Sequence, residues 1–231
     1  MTSARVRLKE KLAKRELVVG VSPDYPSPGL VEFLGRAGFD LVFIDCEHAG
    51  PGIETLVEMV RAVRAAGAVS VARPWSKDPG LVRRFLDCGV DGLIAPDMES
   101  AADANAILKI IKDTDPPDAA NVLFIPLIES AKGIENLGEI LAVKGVDGIQ
   151  VGPGDLAVSM NLPRRTSDPK VRDMTFRAFA EAKALGKSCG GPVGRFGIEP
   201  MAAAGANFPM FWVNDLLKSG IATALAALKK T

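Results

Sequence analysis

The sequence predicts an α/β fold, a (β/α)8 TIM barrel, with residues 1–231 as a single domain and residues 1–15 as an N-terminal helical extension. Three observations carry that expectation. Eight short apolar runs recur along the 231 residues, nearly continuous rather than alternating, as parallel strands covered on both faces should be. The longer segments between them carry apolar residues at helical spacing and stop at glycine. Four units end alike, in AGFDL, CGVDG, KGVDG and AGANF, the cadence of helix, turn and strand that a (β/α) array produces.

Taken in order, the chain opens on MTSARVRLKEKLAKRE, charged and helix-prone, followed by the first strand candidate, LVVGVS (17–22). LVFID (41–45), SVARP (70–74) and GLIAP (92–96) come next, then VLFIPLIE (122–129), GIQVGPGD (148–155), KSCGG (187–191) and FPMFWVN (208–214). IETLVEMVRAVRAAG, PGLVRRFLDCG, AADANAILKIIKD and AKGIENLGEILAVKG are the helical segments after strands two to five, and DLLKSGIATALAALKK is the last helix. KDTDPPDAAN (112–121) and NLPRRTSDPK (161–170) read as polar connections. A doubly wound open sheet is the runner-up, but VGVSPDYPSPG lacks the G-x-G-x-x-G that its first turn would want. GKS at 186–188 is no P-loop, because Glu181 stands where its first glycine should be.

Composition removes several classes of partner. With 28 Lys+Arg against 28 Asp+Glu there is no electrostatic footprint for nucleic acid or an acidic membrane surface. No apolar leader and no unbroken apolar run of bilayer length are present, so the expected compartment is the cytoplasm. Cys46, Cys88 and Cys189 are odd in number and widely spaced, which fits reduced thiols. His48 is the only imidazole and there is no CxxC, which excludes the usual structural zinc sites.

In a TIM barrel the chemistry lies at the carboxyl ends of the strands. Strand two ends in Asp45, Glu47 and His48, strand three in Arg73, strand five in Glu129, and strand six runs into Gly152, Gly154 and Asp155. Taken singly, an Asp after a strand is usually a helix cap and an Arg there a rim ion pair. Convergence of all of them on one rim is harder to reach by accident. Two carboxylates on adjacent strands, Glu129 and Asp155, would repel unless a cation lies between them, and oxygen ligands favour a hard divalent ion, Mg²⁺ or Mn²⁺, with Co²⁺ also compatible. Arg73 offers a planar fork to a substrate carboxylate, and Gly154 lets a ligand approach the backbone. The expected substrate-contacting set is thus Arg73, Gly154 and Asp155, a pocket for a small 2-keto acid. His48 is placed to remove the proton beside the carbonyl. Spacing alone does not select a carboxylate to orient it. A Schiff-base lysine is the competing mechanism, with Lys77 its one candidate, and Cys46 is a weak nucleophile candidate.

These residues resemble the HpcH/HpaI aldolases, class II metal-dependent pyruvate aldolases such as 4-hydroxy-2-oxoheptanedioate aldolase. The likeness runs through AGFDLVFIDCEHAG, VARPWSKDPGLVRRFLDCGVDGLIAPDMESAADA, IPLIESAKGIENLGEILAVKGVDGIQVGPGDLAVSM and GKSCGG, most of residues 15 to 215. The resemblance implies His48 as base with Asp87 as its partner, Arg73 as the pyruvate-binding residue, and Glu129 and Asp155 as metal ligands. It also implies a homo-oligomer, a trimer or a hexamer built from trimers. The chain departs from the family pattern at Ser22, where many members have Trp, and at Leu127, Ala157 and Pro192. It is also shorter between Pro96 and Val122, where other members carry an additional loop. The expected reaction is reversible cleavage of a 4-hydroxy-2-oxo acid to pyruvate and an aldehyde through a metal-stabilised enolate. The alternatives are a carbon-carbon lyase of the citrate lyase β or malyl-CoA type, and a catalytically idle barrel acting as a binding protein.

Overall fold

The computed structural model describes residues 3–115, 118–162 and 166–228. Eight parallel strands run in the order β7-β6-β5-β4-β3-β2-β1-β8. They are β1 (Gly20–Ser22), β2 (Leu41–Asp45), β3 (Val69–Arg73), β4 (Gly92–Ala95), β5 (Leu123–Ile128), β6 (Gly148–Val151), β7 (Ser188–Gly190) and β8 (Met210–Trp212). The barrel closes between β7 and β8 by backbone hydrogen bonds from Asn207 and Phe208 to the Cys189 carbonyl and from Met210 to that of Gly191. Gly190 makes this closure possible, because a Cβ there would collide with the Phe208 carbonyl.

Ahead of the barrel stands α1 (Ala4–Ala13). The outer ring contains α2 (Pro28–Arg36), α3 (Ile53–Ala65), α4 (Pro79–Asp87), α5 (Ala101–Thr114), α6 (Ala131–Glu135), α7 (Leu137–Ala142), α8 (Pro153–Ser159), α9 (Pro169–Ala184), α10 (Val193–Phe196) and α11 (Ile198–Ala203). The last helix is α12 (Val213–Leu228). Serine or aspartate caps recur where the sequence offers them: Ser27, Asp78, Ser100, Ser130 and Asp168 each accept from a backbone N–H of the first turn.

Six of the eight strands are shorter than their apolar runs, because only the paired centre of each run is strand; β2 matches its run and β3 is displaced from its run by one residue. In GIQVGPGD the sheet stops at Val151 and Pro153 begins α8, as proline at the first helical position favours. Residues 112–114 continue α5 instead of opening a loop. Residues 1–2, Pro116, Pro117, the 163–165 stretch of NLPRRTSDPK and the final residues 229–231 lie outside the described residues.

Two apolar cores follow from the period of two along each strand. Leu41 and Phe43, Val69 and Val71, and Leu123, Ile125 and Leu127 fill the barrel interior. Val42, Ile44, Ala72, Phe124 and Ile128 face the helices. Helix α1 plugs the amino-terminal end of the barrel, inserting Leu8 and Leu12 into the inner core.

The repeated turns acquire a physical reason at that end. Asp40, Asp91 and Asp147 accept from the backbone N–H of Val19, Ser70 and Phe124, and Asn207 does the same for Cys189. Each therefore ties a strand to its predecessor. Cations of α1 sit on the three aspartates: Lys11 at 2.6 Å from Asp40, Arg5 at 3.9 Å from Asp91 and Lys9 at 3.1 Å from Asp147.

Candidate active site

Strand period also delivers side chains to the carboxyl-end mouth. Asp45 continues the inward positions 41 and 43, Arg73 continues 69 and 71, and Glu129 continues 123, 125 and 127. Asp45 and Arg73 are register partners across β2 and β3. The consequence is a buried, bidentate pair: Arg73 donates from Nε to Asp45 Oδ1 at 2.9 Å and from Nη2 to Oδ2 at 2.6 Å. Its Nη1 lies 3.0 Å from Glu47 Oε2. Three of five guanidinium N–H directions are thus engaged, and one N–H each on Nη1 and Nη2 remains for a ligand. Asp45 and Glu47 were seen in the sequence as rim residues but not as partners of Arg73; the in-phase positions 45 and 73 are the signal that would have joined them.

Asp45 also shapes the turn behind it, where its Oδ1 accepts from the N–H of Glu47 and of His48. That turn holds His48 at the mouth, with Nε2 3.9 Å from Asp155 Oδ2, beyond hydrogen-bond reach. Asp155 comes from the first turn of α8.

Glu129 is 6% exposed. Its Oε1 accepts the Asp97 N–H at 2.9 Å, and among the described residues no cation lies within ion-pair distance. Burial pushes its carboxyl up to about 7, against the opposing pull of the Asp97 N–H and Arg73. The other oxygen faces the β6–α8 turn: a Cβ built on Gly152 would lie 3.0 Å from Oε2. Glycine at 152 keeps that space open.

Arg73, His48, Glu129, Gly154 and Asp155 all line one cleft of about 370 Å³ in the barrel mouth. Its walls also carry Phe43, Leu127, Gln150 and Trp212, and its outer side carries Asp24, Arg195, Asn214 and Asp215. Sequence reasoning did not single out this outer side. Trp212 packs edge-on to Phe43 and also forms cleft wall. Ser22 is buried as the register partner of Trp212 and does not line the cleft.

Asp87 is not brought to this rim. It ends α4 at the amino-terminal side of the barrel, exposed, four residues before Asp91, which is bonded to the start of β3. Lys77 is committed elsewhere, donating to the Asp97 carbonyl and to Asp103, both at 2.8 Å. Burial pushes the Cys46 thiol up to about 12, far from a nucleophilic thiolate. Cys189 is fully buried and Cys88 only partly so, and all three thiols are free.

A parallel eight-stranded barrel whose carboxyl-end mouth gathers an arginine, a histidine and carboxylates is the frame of a TIM-barrel enzyme. The HpcH/HpaI aldolase/citrate lyase family matches residues 25–193, and this chain belongs to it. A 5-keto-4-deoxy-D-glucarate aldolase of Salmonella paratyphi C is 31% identical, with 80% of each chain covered. Among solved structures, an HpcH/HpaI aldolase/citrate lyase family protein from Burkholderia cenocepacia superposes with a TM-score of 0.84 at 27% identity, over 96% of this chain and 99% of its own. The citrate synthase SbnG superposes with a TM-score of 0.82 at 25% identity, over 96% and 97%. Family and curated relatives make this chain a carbon-carbon lyase. No helix among the described residues is long and apolar enough to cross a membrane.

Proposed function

We propose that the chain is a metal-dependent aldolase that reversibly cleaves a 4-hydroxy-2-oxo acid into pyruvate and an aldehyde. The observation that carries this reading is Glu129: a carboxylate desolvated in the barrel mouth near Arg73, with no cation among the described residues within ion-pair distance. Glu129 and Asp155, from neighbouring strand ends on either side of the Gly152 turn, would hold a divalent ion. Among the described residues no three His, Cys, Asp or Glu cluster as a closed metal cage. Two carboxylates with the other positions open suit Mg²⁺, which is commonly held that way, or Mn²⁺ or Co²⁺. Such an ion supplies positive charge where negative charge develops on the keto oxygen.

The chain's own residues do the rest. Arg73, immobilised by Asp45 and Glu47, presents its remaining N–H groups to the pyruvate carboxylate. His48, on the same rim, accepts a proton in cleavage and returns it in condensation. Gly154 has no heavy atom within 4 Å of a Cβ position, leaving backbone accessible to the substrate beside Asp155.

An aspartate at 87 orienting His48 requires a second copy of the chain, since the two residues of one chain lie at opposite ends of the barrel. Self-assembly, as a trimer or hexamer, has a further support in α12. Its residues from Asp215 onward are exposed, with Leu217, Ile221, Leu225 and Leu228 forming an apolar stripe. Three free thiols fit a reducing, cytoplasmic setting.

The test is a panel of 4-hydroxy-2-oxo acids of different lengths, assayed for pyruvate release with and without added Mg²⁺ or Mn²⁺, together with exchange of pyruvate methyl protons in D₂O. Metal-dependent release and exchange are expected. Turnover only of CoA thioesters would replace this reading by the malyl-CoA type of lyase, and failure to bind pyruvate with metal present would leave a binding protein.

A further inference from the structure

Two cations line the cleft among the described residues, and they differ in what they already hold. Arg73 on β3 is clamped by two carboxylates. Arg195, on α10 just past β7, is exposed on the cleft wall and makes no hydrogen bond or ion pair with any described residue. Strands β3 and β7 are four places apart in a barrel of eight, so these guanidinium groups stand on opposite walls of the mouth. Glu129 just after β5, Asp155 after β6 and His48 after β2 lie between them around the rim.

The neighbouring acids do not spend Arg195. Asp24 accepts the N–H of Asn214 at the start of α12, and Asp215 belongs to that helix's first turn, where acids are favoured. The Asp215 carboxylate lies against Gly194, where a Cβ would come too close to its Oδ2 and displace it. Gly194 and Pro192 line the cleft beside Arg195.

The geometry points to Arg195 as a specificity-determining residue that binds a compact anion, carboxylate or phosphate, on the aldehyde half of the substrate. The inference rests on the aldolase reading. With the pyruvate carboxylate at Arg73, the bond that breaks lies over the centre of the mouth, and the aldehyde half extends toward the far wall. A substrate charged at both ends would be held at both walls, whereas a neutral aldehyde would leave Arg195 in water.

The experiment is condensation of pyruvate, with Mg²⁺ or Mn²⁺ present, with three aldehydes: succinic semialdehyde, butanal of the same chain length, and glyceraldehyde 3-phosphate. kcat/KM is expected to favour an anionic aldehyde over butanal by roughly 10- to 100-fold, the range for a charged hydrogen bond. Whichever of the two anions is preferred identifies its class. Arg195→Gln should erase the preference while leaving butanal unchanged, and Arg195→Lys should restore part of it. Equal rates for all three aldehydes, or an equal loss with all three in Arg195→Gln, overturns the role of Arg195. Exchange of pyruvate methyl protons in the same samples separates the two readings: exchange without anion preference overturns Arg195 alone, and absence of both exchange and condensation overturns the aldolase reading with it.

Discussion

The two ends of this barrel use the same acidic residues to opposite effect. At the amino-terminal end, Asp40, Asp91 and Asp147 each accept a strand N–H and each has a lysine or arginine of α1 beside it. At the carboxyl end, Glu129 accepts one N–H and, among the described residues, has no cation within ion-pair distance. Burial raises the carboxyls of both Asp147 and Glu129, but Lys9 answers it directly at 3.1 Å in the first case. A buried acid with its countercharge is costly to unpair, even where burial still outweighs the pairing, as at Asp147. One without it costs stability and is retained where an external cation can complete it.

Substitutions at the two ends should therefore separate cleanly into kinetic and structural effects. The largest kinetic effect is expected for His48→Ala, a loss of about 10²–10⁴-fold in pyruvate methyl exchange with metal and pyruvate still bound. Wild-type exchange in that variant would remove His48 as the base. Asp87→Asn should act in the same direction, and the double variant should be no worse than His48→Ala, because the residues would work as one unit across chains.

Glu129→Gln should abolish divalent-ion binding by calorimetry and yet stabilise the metal-free protein. The folded-state pKa, near 7, lies above the ordinary value of 4.5. The folded chain therefore holds this proton more tightly than the unfolded one. The resulting stability is present below pH 4.5 and is lost as pH rises through about 7. Neutralising the residue should thus raise stability at pH 8 by up to about 3 kcal/mol, with little effect at pH 4. Denaturant titrations at the two pH values check both sign and window, and an unchanged stability at pH 8 would mean that Glu129 is already compensated.

Arg73→Lys keeps a charge but cannot span Asp45 and Glu47 while offering N–H groups to a ligand. A rise in KM for pyruvate equivalent to roughly 1.5–3 kcal/mol is expected, and wild-type kinetics would rule out the assignment. The smallest effect belongs to the other end. Asp91→Ala leaves the fully buried Ser70 with an unpaired N–H, costing roughly 1–3 kcal/mol of stability with kcat and KM unchanged. A kinetic defect there would show that the two ends are coupled.

The sequence by itself determined the barrel, because alternation of apolar runs and helical segments is local and every strand had to be buried on both faces. It also determined that Asp45, Arg73 and Glu129 share the inner face, since the strand period places them there without knowledge of the remainder. Tertiary structure decided how each group is already engaged. That Asp45 and Glu47 occupy much of Arg73, that Lys77 is tied to Asp103, and that Asp87 sits at the far end from His48 all depend on strand register and helix length. The same holds for Arg195, an unremarkable arginine in a short segment until β7 and β3 stand opposite each other across the mouth. Periodicity is a property of neighbours along the chain; pairing and vacancy depend on contacts between residues far apart in it, and only closure of the barrel sets those.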